Sequence, residues 1–153
     1  MMEKKAASIT QQIRDRILEL HEIAPDSIGD RLHYQLIESD AQERTFTFLC
    51  RTESWMRNGP GTLHGGMCAT VVDQAMGYVA HCVKQGEGNA PTIQMQVTYH
   101  RPIIPGDDVL VRVHVVSKTK SLMNLSAEAY RKVRADRICL SANATFFYKP
   151  KET

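Results

Sequence analysis

Two adjacent glycines and one acidic residue form the pattern in this chain that could do chemistry. Gly65 and Gly66 begin a segment with helical spacing of apolar residues, so their backbone N–H groups have no intrahelical acceptors. An unobstructed helix N-terminus can donate to an oxygen that gains negative charge. Asp73 lies later in that segment among apolar residues, where a carboxylate needs partners. We consider Asp73 as a general base or nucleophile, with a structural carboxylate as the alternative.

Asn58 and His64 precede the glycines in a loop that contains two further glycines and a proline. The Asn58 amide could donate to the same oxygen as the Gly65 N–H, or it could hold a water. His64 directly precedes the helix, where it could cap the helix or orient the loop. The stretch therefore offers several donors and one carboxylate to a carbonyl group.

The spacing of Gly65 and Asp73 decides where the two residues can meet. Eight residues of one helix rise about 12 Å, whereas both groups must come to roughly 3 Å from one carbonyl. One side chain does not cover that distance. If both act on the same carbonyl, they come from different subunits, with two such helices antiparallel across a two-fold axis. On that condition, the spacing predicts a homodimer with two sites at its interface.

The hydrophobic pattern predicts one long internal helix and two groups of strands. Apolar residues keep a three-four spacing over 65–84, a segment rich in small side chains. Alternating patterns predict strands at 31–37 and 44–50, joined as a hairpin. Four more alternating segments follow from Pro91, and their short connections predict an antiparallel meander. Because a sheet must cover its apolar face, we expect an α+β fold whose curled sheet wraps the long central helix.

Length and composition favour a single globular domain. We assign the 153 residues to one domain, in which residues 1–27 form an N-terminal extension with an amphipathic helix over 8–22. Hydrophobic residues make up 42% of the chain and charged residues 24%, as in proteins with a packed core. The formal net charge of +2 is too small to favour a nucleic-acid partner.

The sequence indicates a cytoplasmic protein without membrane spans. The N-terminal segment carries charges throughout and lacks the apolar core of a signal peptide. The longest stretch without Lys, Arg or Glu is interrupted by Asp73, glycines and a proline, so we expect no membrane span.

No two cysteines have C-x-x-C spacing and no histidines have ligand spacing, so we expect buried free thiols and no metal or redox cofactor. The cysteines are Cys50, Cys68, Cys82 and Cys139.

The pattern N-x-x-x-x-x-H-G-G-x-x-x-x-x-x-D over 58–73, followed by Y-H-R-P and P-G-D, resembles the hotdog-fold acyl-CoA thioesterases. The resemblance is strongest to the PaaI-like (phenylacetate-pathway) and THEM2-like branch and covers roughly residues 28–148. It implies a sheet wrapped around a long helix, dimers that commonly pair into tetramers, and hydrolysis of an acyl-CoA thioester. Coenzyme A then enters only as part of the substrate.

The resemblance also assigns roles to residues. It places the catalytic carboxylate on Asp73, the oxyanion amide on Gly65 and the supporting amide on Asn58. The motif histidine falls on His64, and a serine or threonine that assists the water in some members falls on Thr92. Asp73 would activate water as a general base or attack directly to form an anhydride, and both alternatives remain open.

Further residues are candidates for holding the substrate. Gly66 and Met67 lie beside the proposed carbonyl site, and apolar side chains including Tyr99 could line an acyl pocket or simply form core. Basic side chains around the later strands could meet the CoA phosphates, or they could form a solvated edge that discourages strand pairing. These candidates, with one neighbouring serine, are Lys118, Lys120, Ser121 and Arg131.

Two other functions compete with hydrolysis. An acyl-CoA-binding sensor would keep the fold without catalysis, but only about 25 residues precede the first predicted strand, too few for a helix-turn-helix output domain. A dehydratase acting on a 3-hydroxyacyl thioester would need His64 and Asp73 as acid and base. The glycine pair fits polarisation of a thioester better than it fits dehydration. The carrier, CoA or acyl-carrier protein, stays open.

Overall fold

A computed structural model of the chain describes residues 2–40, 42, 44–84 and 86–152, with the side chains of residues 2–8 excepted. The helices are α1 (Met2–Ile23), α2 (Ile28–Arg31) and α3 (Gly65–Val83). The strands are β1 (Gln35–Asp40), β2 (Thr45–Arg51), β3 (Gly86–Glu87), β4 (Thr92–Tyr99), β5 (Asp108–Lys118), β6 (Leu122–Arg131), β7 (Ile138–Phe147) and β8 (Lys149–Pro150). Short 3-10 turns occupy Ser54–Met56 and Lys132–Arg134.

Six strands form one antiparallel sheet in the order β1-β2-β5-β6-β7-β4. The predicted hairpin is present, with Asp40 of β1 opposite Thr45 of β2. Strands β5, β6 and β7 form a meander, since each pairs with the next along the chain. Strand β4 lies at the edge of the sheet and pairs with β7, where Tyr99 faces Leu140.

The prediction of a four-stranded meander is therefore wrong for β4. Two strands separate β4 from β5 in the sheet, a distance of about 14 Å at the usual strand spacing. The connection over 100–107 covers that distance because extended chain reaches about 3.3 Å per residue. Alternating hydrophobicity shows that a segment is a strand, but it does not show which strand lies beside it.

The first strand also begins later than predicted. Residues 28–31 form a single helical turn, which begins after Ser27, whose side chain accepts a hydrogen bond from the Asp30 N–H. His33 follows with a positive φ of 48°, so extended backbone starts only at Gln35. The turn chemistry of this segment outweighs its alternating pattern.

The sheet wraps α3, as predicted. The helix contacts β2, β4, β5, β6 and β7. Its inward side chains are fully buried, among them Val72 and Met76, and alternate residues of β5 meet them from the sheet. The predicted helix over 65–84 agrees with the observed bounds to within one residue. The α+β arrangement of one helix inside a curled antiparallel sheet is thus confirmed.

Helix α1 packs on α3 and β1 through its apolar side. Ile13 is fully buried there, with Ile17 and Leu20 half-buried beside it. The helix is longer than the predicted 8–22, since it spans Met2–Ile23. No helix in the described ranges is both long enough and apolar enough to cross a membrane.

An exposed ion pair connects α1 to α2. The ring Nδ1 of His21 contacts Oδ1 of Asp30. The hydrogen bond to Asp30, helped by its negative charge, raises the pKa of His21 above its ordinary value of 6.5. The same hydrogen bond lowers the pKa of Asp30 below its ordinary value of 3.8.

We expect His21→Gln to reduce stability mainly between about pH 4 and pH 6.5. The raised pKa of His21 stabilises the fold below the unfolded-state value, and this effect disappears as pH rises through the folded-state value. The lowered pKa of Asp30 stabilises the fold above its unfolded-state value, and this effect disappears as pH falls. Urea unfolding midpoints of both proteins, measured across this window and on either side, test the expectation. An equal difference at every pH would contradict it.

Candidate active site

His64 occupies the N-cap of α3. Its ring Nδ1 accepts a hydrogen bond from the Gly66 N–H at 2.9 Å, and its own carbonyl accepts one from the Cys68 N–H at 2.9 Å. Its backbone N–H donates to the Met56 carbonyl at 2.8 Å, which joins the cap to the preceding loop. Because Nδ1 accepts, the proton of the neutral ring lies on Nε2, and this group remains a donor at the exposed end of the helix.

The Gly65 N–H is free at this helix end. Within the described part of the chain, no acceptor takes a hydrogen bond from it, whereas the N–H of the next residue is bound to His64. Gly65 is half-buried and Gly66 is exposed. The Met67 N–H also has no described acceptor, but Gly65 alone of the two carries its amide on a residue without a side chain, at the positive end of the helix dipole.

Tyr99 of β4 reaches the same helix end. Its hydroxyl donates to the Gly65 carbonyl at 2.8 Å. The sequence places Tyr99 only among residues that could line a pocket, because the hydrogen bond joins positions 34 residues apart. Only the register of β4 against α3 brings them together.

Asn58 holds its own loop together. Its Oδ1 accepts from the Thr62 N–H at 3.0 Å, and its Nδ2 donates to the Thr62 hydroxyl at 2.9 Å. Its backbone N–H also donates to the Thr62 carbonyl at 2.8 Å. The second hydrogen of Nδ2 has no acceptor among the residues described, so the amide can fix this loop and still donate once.

Asp73, in the middle of α3, is in contact with Thr92. The Thr92 hydroxyl, at the start of β4, donates to Oδ1 of Asp73 at 2.7 Å. The carboxylate is half-buried rather than fully buried. No described basic group lies within ion-pair distance of it, and its Oδ2 has no described donor. Asp73 is thus a carboxylate that is oriented by one hydroxyl and has one oxygen free.

The structure separates the predicted substrate-binding residues into two groups. Gly66 and half-buried Met67 lie at the N-terminus of α3. Lys118 lies at the opposite end, where its Nζ donates to the Val83 carbonyl at 3.3 Å. Exposed Lys120 and half-buried Ser121 follow in the turn between β5 and β6. The two ends of the helix are about 27 Å apart, so one protomer does not bring the groups together.

Arg131 is held in a part-buried ion pair. Its Nε lies 2.6 Å from Oδ2 of Asp107, with only 30% and 18% of the two side chains exposed. The Asp107 carboxylate also accepts from the Ile104 N–H at 3.2 Å. Arg131 therefore fastens the connection between β4 and β5.

Three of the cysteines have raised pKa values and are poor candidates for an alternative nucleophile. Burial raises the pKa of Cys50 to about 12 and that of Cys68 to about 11. Burial also raises the pKa of Cys82 to about 11. These thiols stay protonated near neutral pH, where only a thiolate attacks efficiently.

A long helix wrapped by a curled antiparallel sheet is the arrangement of a hotdog-fold protein. The chain belongs to the thioesterase superfamily, whose family model matches residues 60–137, half of the chain. That match covers α3 and the strands β3 to β6.

Named relatives match parts of the chain. Acyl-coenzyme A thioesterase 13 of Homo sapiens is 32% identical over 82 residues, which are 54% of this chain and 58% of that protein. The protein of the same name in Mus musculus is 25% identical over 126 residues, which are 82% of this chain and 87% of that protein. The match to the human relative thus spans less than two thirds of its length.

Solved structures have the same fold. Thioesterase superfamily member 2 of Mus musculus gives a TM-score of 0.72 at 21% identity, covering 91% of this chain and 96% of that one. The PaaI protein of E. coli gives 0.74 at 16% identity, covering 92% and 95%. The smu.793 protein of Streptococcus mutans, bound to acetyl CoA, gives 0.68 at 19% identity, covering 88% and 98%. At these identities the likeness shows the fold.

Proposed function

We propose that this protein is an acyl-CoA thioesterase, which hydrolyses a thioester to a carboxylic acid and free CoA. The observation that carries the proposal is a pair of features of α3. Asp73 is a carboxylate with one free oxygen and no described counter-ion, and Gly65 presents a free amide at the N-terminus of the helix. The name of the human and mouse relatives supports the substrate class, as does the acetyl CoA bound to the Streptococcus mutans protein.

Each group has a role in the proposed reaction. Asp73 takes a proton from water as the water oxygen attacks the thioester carbon, and the Gly65 N–H donates to the carbonyl oxygen as it becomes negative. When the intermediate collapses, the carbon–sulfur bond breaks and the CoA sulfur receives the proton. Direct attack by Asp73, followed by hydrolysis of the anhydride, uses the same two groups. Thr92 holds Oδ1 and so leaves Oδ2 for the reaction.

The active site is proposed to form between two protomers. Gly65 and Asp73 lie on one continuous helix, about 12 Å apart along its axis. An antiparallel partner helix would bring an Asp73 level with the Gly65 of the first protomer. Strand β4 favours this dimer because it is an edge strand that exposes two large side chains, Ile93 at 58% and Tyr99 at 55%. We propose a homodimer of this kind and, on the family resemblance, association of dimers into tetramers.

The lysines near the end of α3 are proposed to hold the CoA phosphates. Lys118 contacts the carbonyl of Val83 in the last turn of α3. Val83 is ten residues after Asp73 on this helix, a distance of about 15 Å along the axis. The pantetheine arm of CoA can extend over such a distance from the thioester. Lys120 and Ser121 lie in the adjoining turn and add a charge and a hydroxyl.

The chemistry proposed here uses only groups of the chain, the substrate and water, so we propose no metal or redox cofactor. We also propose a cytoplasmic location. Its reducing conditions suit the four cysteines, each of which is free in the structure.

Release of free thiol from a panel of acyl-CoA esters tests the function. We expect saturable release by the purified protein, with a preferred acyl length that follows from the depth of the pocket. A thiol reagent detects the CoA, and a parallel series with acyl-carrier protein identifies the carrier. Tight binding without release would favour the sensor function, and an enoyl product from a 3-hydroxyacyl ester would favour the dehydratase.

A further inference from the structure

We infer that Tyr99 is a positioning residue, which restrains the orientation of the Gly65 N–H by holding the peptide that follows it. The inference rests on the proposed function. Its basis is a chain of two hydrogen bonds: the Tyr99 hydroxyl donates to the Gly65 carbonyl at 2.8 Å, and the Gly66 N–H donates to Nδ1 of His64 at 2.9 Å. The accepting carbonyl and the donating N–H belong to the same planar peptide unit.

This peptide needs an external restraint because glycine stands on both sides of it. Glycine has the widest range of backbone conformations, so the first turn of α3 has little intrinsic preference at this point. Tyr99 holds the oxygen of the peptide and His64 holds its hydrogen, which fixes the plane from both ends. The free Gly65 N–H belongs to the preceding peptide, whose His64 carbonyl accepts from the Cys68 N–H at 2.9 Å. Holding the next peptide restricts ψ of Gly65, and so restrains the rotation of Gly65 between the two peptide planes.

The sheet supplies the rigidity. Tyr99 ends β4 opposite buried Leu140, and the two following residues both donate their N–H groups to the Cys139 carbonyl. The ring also lies against Gly65, since a Cβ at that glycine would be 3.5 Å from the hydroxyl oxygen and 3.6 Å from the ring. Tyr99 thus contacts Gly65 through its ring and its hydroxyl without using the Gly65 N–H.

The same chain of bonds fixes the tautomer of His64. A donor at the Tyr99 hydroxyl polarises the peptide, which strengthens the bond from the Gly66 N–H to Nδ1. The neutral ring then keeps its proton on Nε2. The tautomer therefore reports the bond from the Gly66 N–H, and it responds to Tyr99 only if Tyr99 holds that peptide in place.

Tyr99→Phe removes the hydroxyl and keeps the ring. We expect kcat to fall about three- to tenfold, the effect of one neutral hydrogen bond, with KM unchanged. Nitrogen NMR of the His64 ring should show a shift from the single tautomer toward a mixture. An unchanged tautomer would overturn the inference. If wild type releases no thiol, the proposed function fails, and the NMR comparison still decides whether the chain of bonds exists.

A double-mutant cycle tests whether Tyr99 acts through His64. The effect of Tyr99→Phe on kcat should largely disappear in a His64→Ala background, because the second bond of the chain is then absent. Tyr34→Phe is the matched control, since the Tyr34 hydroxyl donates to another carbonyl of α3, that of Val71, at 2.7 Å. Tyr34→Phe and His64→Ala should be additive. Full additivity of Tyr99→Phe with His64→Ala would overturn the inference.

Discussion

Asp73→Asn is expected to lower kcat for acyl-CoA hydrolysis by about 10²- to 10⁴-fold, the usual contribution of a positioned general base. Asparagine has nearly the same shape, and its side-chain oxygen can still accept the hydrogen bond from the Thr92 hydroxyl. The charge and the basic oxygen are lost while the local contact remains. The measurement is steady-state thiol release together with the urea unfolding midpoint, which should stay close to that of wild type.

Asp108→Asn is the matched control for this substitution. Asp108 is also a half-buried carboxylate, but it forms ion pairs with Arg51 at 3.6 Å and Lys132 at 4.0 Å, away from α3. We expect Asp108→Asn to affect stability and to leave kcat near the wild-type value. Turnover like that of wild type in Asp73→Asn, or in Asp73→Ala, would rule out Asp73 as the catalytic carboxylate.

The sequence predicts the central helix well because the signal for it is long and consistent. The apolar residues keep a three-four spacing over several turns, and glycines stand at both ends of the segment. Local sequence therefore determines the bounds of this helix, and tertiary contacts do not alter them. The position of β4 is different, because its alternating pattern would suit any neighbouring strand. The sheet places β4 beside β7, and this choice depends on packing against α3 rather than on local sequence.

The candidate site also contains residues that the sequence indicates and contacts that it does not. The glycines and Asp73 stand out in the sequence, since their types are unusual for their positions in an apolar helix. The contact of Asp73 with Thr92 and that of Gly65 with Tyr99 join residues 19 and 34 positions apart. Both contacts need the exact register of β4 on the helix. The spacing of residues along the chain does not determine this register. Thr92 is indicated only by the resemblance to the family.

Gly65→Pro is expected to lower kcat by about 10²- to 10³-fold, the cost of removing one oxyanion donor. Proline deletes the Gly65 N–H, which has no described partner, so no described hydrogen bond is lost. Proline is also tolerated at the first position of a helix. His64 has φ of −59° and ψ of 136°, the extended conformation that suits a residue before proline. Thiol release and the circular dichroism spectrum of the folded variant together test this expectation.

Gly65→Ala is the control, because it adds a methyl group and keeps the N–H. The added Cβ would lie 3.5 Å from the Tyr99 hydroxyl, an ordinary contact distance. We expect kcat to change less than about tenfold, since the donor remains in place. If Gly65→Ala and Gly65→Pro reduced kcat equally, the reaction would depend on the absence of a side chain at position 65 and not on the N–H.

Mixed dimers of Asp73→Asn and Gly65→Pro decide whether each site is shared between protomers. In a mixed dimer with shared sites, one site receives the intact carboxylate and the intact amide, while the other site loses both. Random assortment of equal amounts makes half of the dimers mixed, so about a quarter of wild-type activity should return. Sites contained within one protomer would each lack one group, and activity would stay at the level of the single variants. Mixing Asp73→Asn with Asp73→Ala provides the baseline, because no pairing of those chains restores a carboxylate.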